Sequence, residues 1–162
     1  MKKNVSIIFS IMILLSILLT IYSSRSQNLN DLINYNDIIN NSNSIEIIYN
    51  KKMSNKSSEK ISYNKNLIKN CLESFNEYTY KLTVPKLFES SHKLFEDINN
   101  NEENFDNYAI TIKDSQNNDI FRAFTKGARY IRILNKKNDF PIYTLNKDFN
   151  PKYIDKIFEN IK

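Results

Sequence analysis

Few residues in this chain could do acid–base or nucleophilic chemistry. His92 is the sole histidine among 162 residues. It precedes Glu96 by four positions, a spacing that brings imidazole and carboxylate together on a helix. Ser90 and Ser91 lie beside it in sequence, but consecutive residues do not face one another on a helix, so the string makes no Ser-His-acid relay. An exposed polar face is the plain reading. Glu102 and Glu103 have the residue type of paired acids for glycoside cleavage, yet they sit in the polar run "NNNEENFDN", where nothing sets their separation. A single glycine excludes the Gly-rich phosphate loops of the P-loop and Rossmann kinds. One His and one Cys, with no Asp or Glu at ligand spacing, leave a metal site without a donor set. The expectation is therefore a non-enzymatic protein with no catalytic, metal-binding or cofactor-binding residues. A hydrolase would require carboxylates that only the fold brings together.

Cys71 is the only cysteine, so no intramolecular disulfide forms. It falls in the series Leu67, Ile68, Cys71, Leu72, Phe75, one face of a helix, and is expected as a small buried hydrophobe. The segment "KGARYIRI" superficially looks like the aromatic-basic strand of RNA-binding domains. Ala128, Arg129 and Ile133 break the pattern, and two of its three stacking positions are missing. Arg122, Arg129, Arg132, Lys136 and Lys137 are the candidate partner-binding residues, a basic patch on adjacent strands able to meet anionic lipid headgroups or an acidic envelope polymer.

An address precedes these residues. Lys2 and Lys3 lead into an uncharged run from Val5 to Tyr22, a basic flank before a membrane-seeking core. About 18 residues is longer than a usual secretory core and close to the roughly 20 of a spanning helix. Ser24 and Ser26 are small enough for cleavage after Ser26, although Ala is preferred at both positions. Two readings follow. The leader is kept, with the N-terminus in the cytoplasm and the rest outside, or it is cut and the domain is secreted. Both export the same domain. Lys2, Lys3 and Arg25 are three of the 23 basic residues, while all 18 acidic ones lie beyond residue 30, so the exported part carries 20 against 18 and a net +2. Charge so near zero makes no strong field for phosphate, and nucleic acid is not an expected partner.

The elements that must position the domain's residues come next. Residues 28–44 read as a spacer. "SIEIIYN" is a strand, the following "KKMSNKSSEK" a solvated loop or hairpin, and 64–76 a helix with Ser62 or Asn64 as N-cap. "EYTYKLTVP" alternates as a strand that Pro85 ends. "KLFESSHKLFEDINNN" repeats KLFE after seven residues and reads as an amphipathic surface helix. From Tyr108 onward the strands "YAITIKD", "DIFRAFT", "YIRIL" and "FPIYTL" alternate with polar turns, Gly127 standing where φ must be positive. Asn150 as N-cap and Pro151 open a final helix carrying Tyr153, Ile154, Ile157, Phe158 and Ile161 on one face.

The order of strand "IEIIY", polar hairpin, helix "NKNLIKNCLESF" and then "YAITIKD", "ARYIRIL" and "PIYTL" resembles small extracytoplasmic domains on a single N-terminal anchor in low-GC Gram-positive bacteria. The resemblance covers the rhythm of residues 45–145. It implies a place in the cell envelope and attaches no activity. The expected fold is α+β, an antiparallel sheet of four or five strands packed by two or three amphipathic helices, with residues 1–27 as signal peptide or membrane anchor and 45–162 as the extracytoplasmic domain. The expected role is binding or scaffolding at the membrane, with a secreted inhibitor, immunity protein or adhesin as the alternative.

Overall fold

The computed structural model describes residues 2–51, 57–83, 106–134, 136–137, 139 and 141–161. Pro85, the KLFE repeat with His92 and Glu96, and the Glu102–Glu103 pair lie outside the described residues. Among the described ones the chain runs α1 (Lys2–Ser24), β1 (Ser26–Gln27), α2 (Leu29–Leu32), α3 (Tyr35–Asn41), β2 (Ser44–Asn50), β3 (Ser57–Ser62), α4 (Lys65–Phe75), β4 (Tyr80–Leu82), β5 (Asn107–Lys113), β6 (Asp119–Lys126), β7 (Tyr130–Ile133), β8 (Ile142–Leu145) and α5 (Lys152–Asn160).

The fold is α+β, as the alternating patterns require, but the sheet is larger than four or five strands. Eight antiparallel strands pair in the order β1-β4-β8-β7-β6-β5-β2-β3. The extra strands are those with the weakest sequence signal. β3 is the polar "SSEKIS", held by pairing Ile45 to Ser62 through Asn50 to Ser57, and β1 is two residues bonded to Lys81 and Tyr80. Backbone pairing makes these strands, not an apolar pattern. Beyond the leader helix α1, four helices are described against the two or three expected, and α2 and α3 come from the supposed spacer. Leu29, Leu32, Ile33 and Ile38 from segment 28–44 are buried in the core. Burial of that much apolar surface, at about 25 cal/mol per Å², outweighs the disorder expected of an Asn-rich stretch.

Period-two alternation decides which face of the sheet is inside. Ile45 and Ile47 on β2, Tyr108, Ile110 and Ile112 on β5, Phe121 and Ala123 on β6, and Ile131 and Ile133 on β7 all point into one core. Ile68, Cys71, Leu72 and Phe75 of α4 and Ile154, Ile157 and Ile161 around α5 close it from one side. Tyr153, assigned to the same apolar face by spacing, is instead 49 % exposed. Asn64 caps α4 as expected, its Oδ1 accepting from the Asn66 N–H at 2.9 Å, whereas α5 starts one residue later than expected, with Pro151 at the N-cap and Asn150 Oδ1 accepting from the Lys152 N–H at 3.2 Å. Gly127 has φ 63°, and its N–H donates to Asn107 Oδ1 at 3.1 Å, so the only glycine meets a backbone demand.

The leader forms a continuous helix. Its apolar side chains from Ile7 to Leu18 stay outside the domain, Ile7 at 59 % and Phe9 at 64 % exposure. Among the described residues no helix is long and apolar enough to cross a membrane.

Candidate functional site

Strand directions give the sheet two unlike ends. At the first, called the near end here, lie the start of β1, the β5–β6 turn, the β7–β8 connection and the ends of β4 and β7. α1 arrives there, with Arg25 alone between it and β1. α2 is held by Leu29 and Leu32 in the core and by the Asn28 N–H, which donates to Asp31 Oδ2 at 2.9 Å. The β7–β8 connection is stitched to it: the Lys136 N–H donates to the Leu32 carbonyl at 2.8 Å, and Lys136 Nζ donates to the Asn30 carbonyl at 2.7 Å. Three adjoining clefts meet at Lys136. The largest, about 520 Å³, has Leu32, Leu82, Pro141 and Tyr143 as apolar floor and Asp31, Lys136, Lys137 and Asp139 as charged rim. The second, about 280 Å³, runs along Ile33, Asp37, Ile38, Asp119 and Leu134. A third, about 420 Å³, lies by Asn34, Tyr35 and Asn36. Clefts with an apolar floor and a few charges are the usual form of a recognition site.

The five basic residues picked from sequence do not form one patch. Arg122 and Arg132 come together as diagonal neighbours on the sheet face away from the core, because Leu134 bonds to Arg122 while Arg132 pairs with Phe124. Arg122 Nε also lies 3.6 Å from Asp119 Oδ2. Arg129 is at the opposite, far end, where its Nε donates to Asp148 Oδ1 at 2.7 Å. Lys136 and Lys137 remain at the near end, a strand length away from Arg129. β7 separates the groups, and Asp119, three residues from Arg122, and Asp148, nineteen from Arg129, offset two of the charges.

The far end is closed by aromatic packing and hydrogen bonds. Tyr49 and Tyr108 stack with centroids 5.3 Å apart. The Tyr49 hydroxyl donates to Asp106 Oδ2 at 3.0 Å, and the Tyr108 hydroxyl donates to Asp155 Oδ1 on α5. Burial first, and then Asp155, push the Tyr108 phenol well above its ordinary range; burial and Asp106 raise Tyr49 less. Lys60 Nζ donates to the Ile161 carbonyl at 2.7 Å and lies over the Phe158 ring at 5.0 Å. These two carboxylates are the convergence that sequence could not reveal. Each holds a tyrosine, and neither lines the clefts at Lys136.

Cys71 is wholly buried in α4, and desolvation pushes its thiol up to about 12, which keeps it protonated and unreactive at neutral pH. A further groove of about 320 Å³ between α4 and α5 is lined by Leu67, Glu73, Tyr153 and Lys156. Among the described residues no group of three or more His, Cys, Asp or Glu is placed to hold a metal ion. Sequence reasoning missed Asp31, Leu32 and Tyr143 at the near-end cleft. The buried face of α2 was legible in the Leu29–Leu32–Ile33 spacing, but Tyr143 is brought there only by strand pairing. Comparison with known proteins finds no matching family model, no matching curated protein and no matching solved structure.

Proposed function

We propose that this protein is a membrane-anchored, non-enzymatic binding domain that presents its clefts outside the cell. The observation that carries this reading is α1. Its described positions include Ile7, Ile8, Phe9, Ile11, Met12, Ile13, Leu14, Leu15, Ile17 and Leu18, all exposed and distributed around the whole circumference of the helix. A helix apolar on every side belongs inside a large core or in lipid, and the domain does not cover this one. Lys2 and Lys3 at its start set the orientation, with the N-terminus inside. Continuity supports retention over cleavage. A cut after Ser26 would remove half of β1, whose Ser26 pairs with Lys81.

For the binding role, the support is the near end, where open clefts with apolar floors carry charges of both signs. Such surfaces suit recognition of a polar partner at the envelope. Fractionation with an alkaline carbonate wash, followed by N-terminal sequencing, tests the anchor. The expected result is retention in the membrane pellet with the leader intact. Recovery from the medium with a new N-terminus near Gln27 would overturn it and favour a secreted factor.

A further inference from the structure

The passage from α1 into the domain has no tether. α1 ends at Ser24, Arg25 follows, and Ser26 is already bonded into the sheet opposite Lys81. Because β1 runs antiparallel to β4, it enters beside Leu82, at the near end. One residue of extended chain spans at most about 3.6 Å. A domain joined so closely to a membrane helix cannot drift or turn over freely; the end where the helix arrives is held at the headgroup layer.

The cleft at that end has the chemistry of that layer. Gln27, the second residue of β1, and Leu82, the last of β4, line the 520 Å³ cleft directly, together with Lys136, Lys137, Asp31 and Asp139. Two ammonium groups and two carboxylates above an apolar floor suit a ligand with both signs of charge and an apolar continuation. A phosphate meets the lysines, an ammonium meets the aspartates, and a glycerol ester meets Leu32, Leu82 and Tyr143. Lys136 Nζ donates one hydrogen bond to Asn30 and has three N–H donors in all. The local charge is balanced, which favours a zwitterionic headgroup over a purely anionic one.

Resting on the membrane reading above, we propose that the near end of the sheet faces the bilayer holding α1, and that the cleft at Lys136 and Lys137 takes a zwitterionic phospholipid headgroup bearing a primary amine. The domain is thereby a surface-apposed reader of its own membrane.

Two measurements on the full chain test this. The first exploits the unreactive Cys71: single labels at Ser115→Cys, in the near-end turn, and Ser57→Cys, at the far end, are introduced one at a time. The chain is placed in vesicles of phosphatidylethanolamine and phosphatidylcholine containing a headgroup-quencher lipid. The ends are separated by a strand of eight residues, so at about 3.3 Å per residue the near-end label is expected to be quenched several-fold more. Equal quenching with the protein firmly in the vesicles overturns the orientation while leaving the anchor intact. Failure to enter vesicles at all overturns both.

The second measurement follows backbone amide signals of Asp31, Lys137 and Tyr143 in detergent micelles. Glycerophosphoethanolamine, glycerophosphoglycerol and inorganic phosphate are titrated separately. Saturable shifts with the first compound, weakened about ten-fold by Lys137→Gln through loss of one charge-assisted hydrogen bond, are expected. The variant's thermal midpoint is to remain unchanged. An equal response to inorganic phosphate, or none to any of the three, overturns the headgroup assignment.

Discussion

The two ends of the sheet differ in what they do with polar groups. At the far end, hydroxyls and carboxylates are turned inward and joined to one another across long sequence separations: Tyr108 to Asp155, Tyr49 to Asp106, and Tyr78, whose hydroxyl accepts from the Asn150 N–H at 2.8 Å. Phe149 stacks between Phe75 and Tyr78 there, sealing the junction of α4, α5 and the sheet. At the near end charges rim the clefts, and the structure is secured by the Lys136 backbone bond to Leu32, by the Lys113–Glu46 pair at 2.9 Å, and by the Asp114 carboxylate, which accepts from the Gln116 and Asn118 N–H groups. The far end closes with tyrosine hydroxyls and stacked rings, and the near end is where the clefts at Lys136 open. Aromatic closure and open clefts thus lie at opposite ends of the same strands.

That contrast is broken or sharpened by a graded series. The largest effect is expected at Phe75, fully buried and packed on Phe121 and Phe149. Phe75→Ala is expected to lower unfolding free energy by about 3–5 kcal/mol, read by urea denaturation of the full chain in detergent. A loss no larger than that of a surface substitution would show that the closed end is not the stability centre.

Next is Tyr108→Phe, which keeps the ring and removes the donor to Asp155. A loss of about 1–3 kcal/mol is expected, because the carboxylate at the α5 junction is left without its partner. The same tyrosine sets an alkaline limit. Its folded phenol is raised above the ordinary 10.0, as is that of the buried Tyr80, so the unfolded chain ionises first. Stability is therefore complete below pH 10 and declines as pH rises beyond it. Absorbance near 295 nm should show these tyrosines titrating together with loss of near-ultraviolet dichroism. Titration well before unfolding would contradict their closure.

The smallest effect is expected at Lys136→Ala. Its backbone bond to Leu32 persists, and only the side-chain bond to Asn30 goes. A change within about 1 kcal/mol is expected in the same denaturation assay. A cost equal to that of Tyr108→Phe would mean that the near end is structural after all and would erase the division of labour.

Much of the domain was legible residue by residue. The α4 face from Ile68 to Phe75 and the glycine turn follow from spacing and backbone geometry, and both lie where the pattern placed them. β3 was hidden because "SSEKIS" has no apolar alternation and becomes a strand through pairing with β2. In 28–44 the apolar spacing suits a short helix, but the asparagines suit a tether equally, and only burial of Leu29, Leu32 and Ile38 decides for α2 and α3. Among the candidate binding residues, only Lys136 and Lys137 reach a cleft. Arg122 and Arg129 meet Asp119 and Asp148 instead, and the 19-residue separation of the second pair gives no local signal.

By itself, then, the sequence determined the class of fold, the apolar leader and the helix faces, because these depend on periodicity and composition within a few residues. Tertiary structure alone decided which charges offset one another, which end of the sheet receives the leader, and where the clefts open. Those outcomes depend on strand order and register, which join residues as distant as Asn30 and Lys136 and leave no trace in any short stretch of chain.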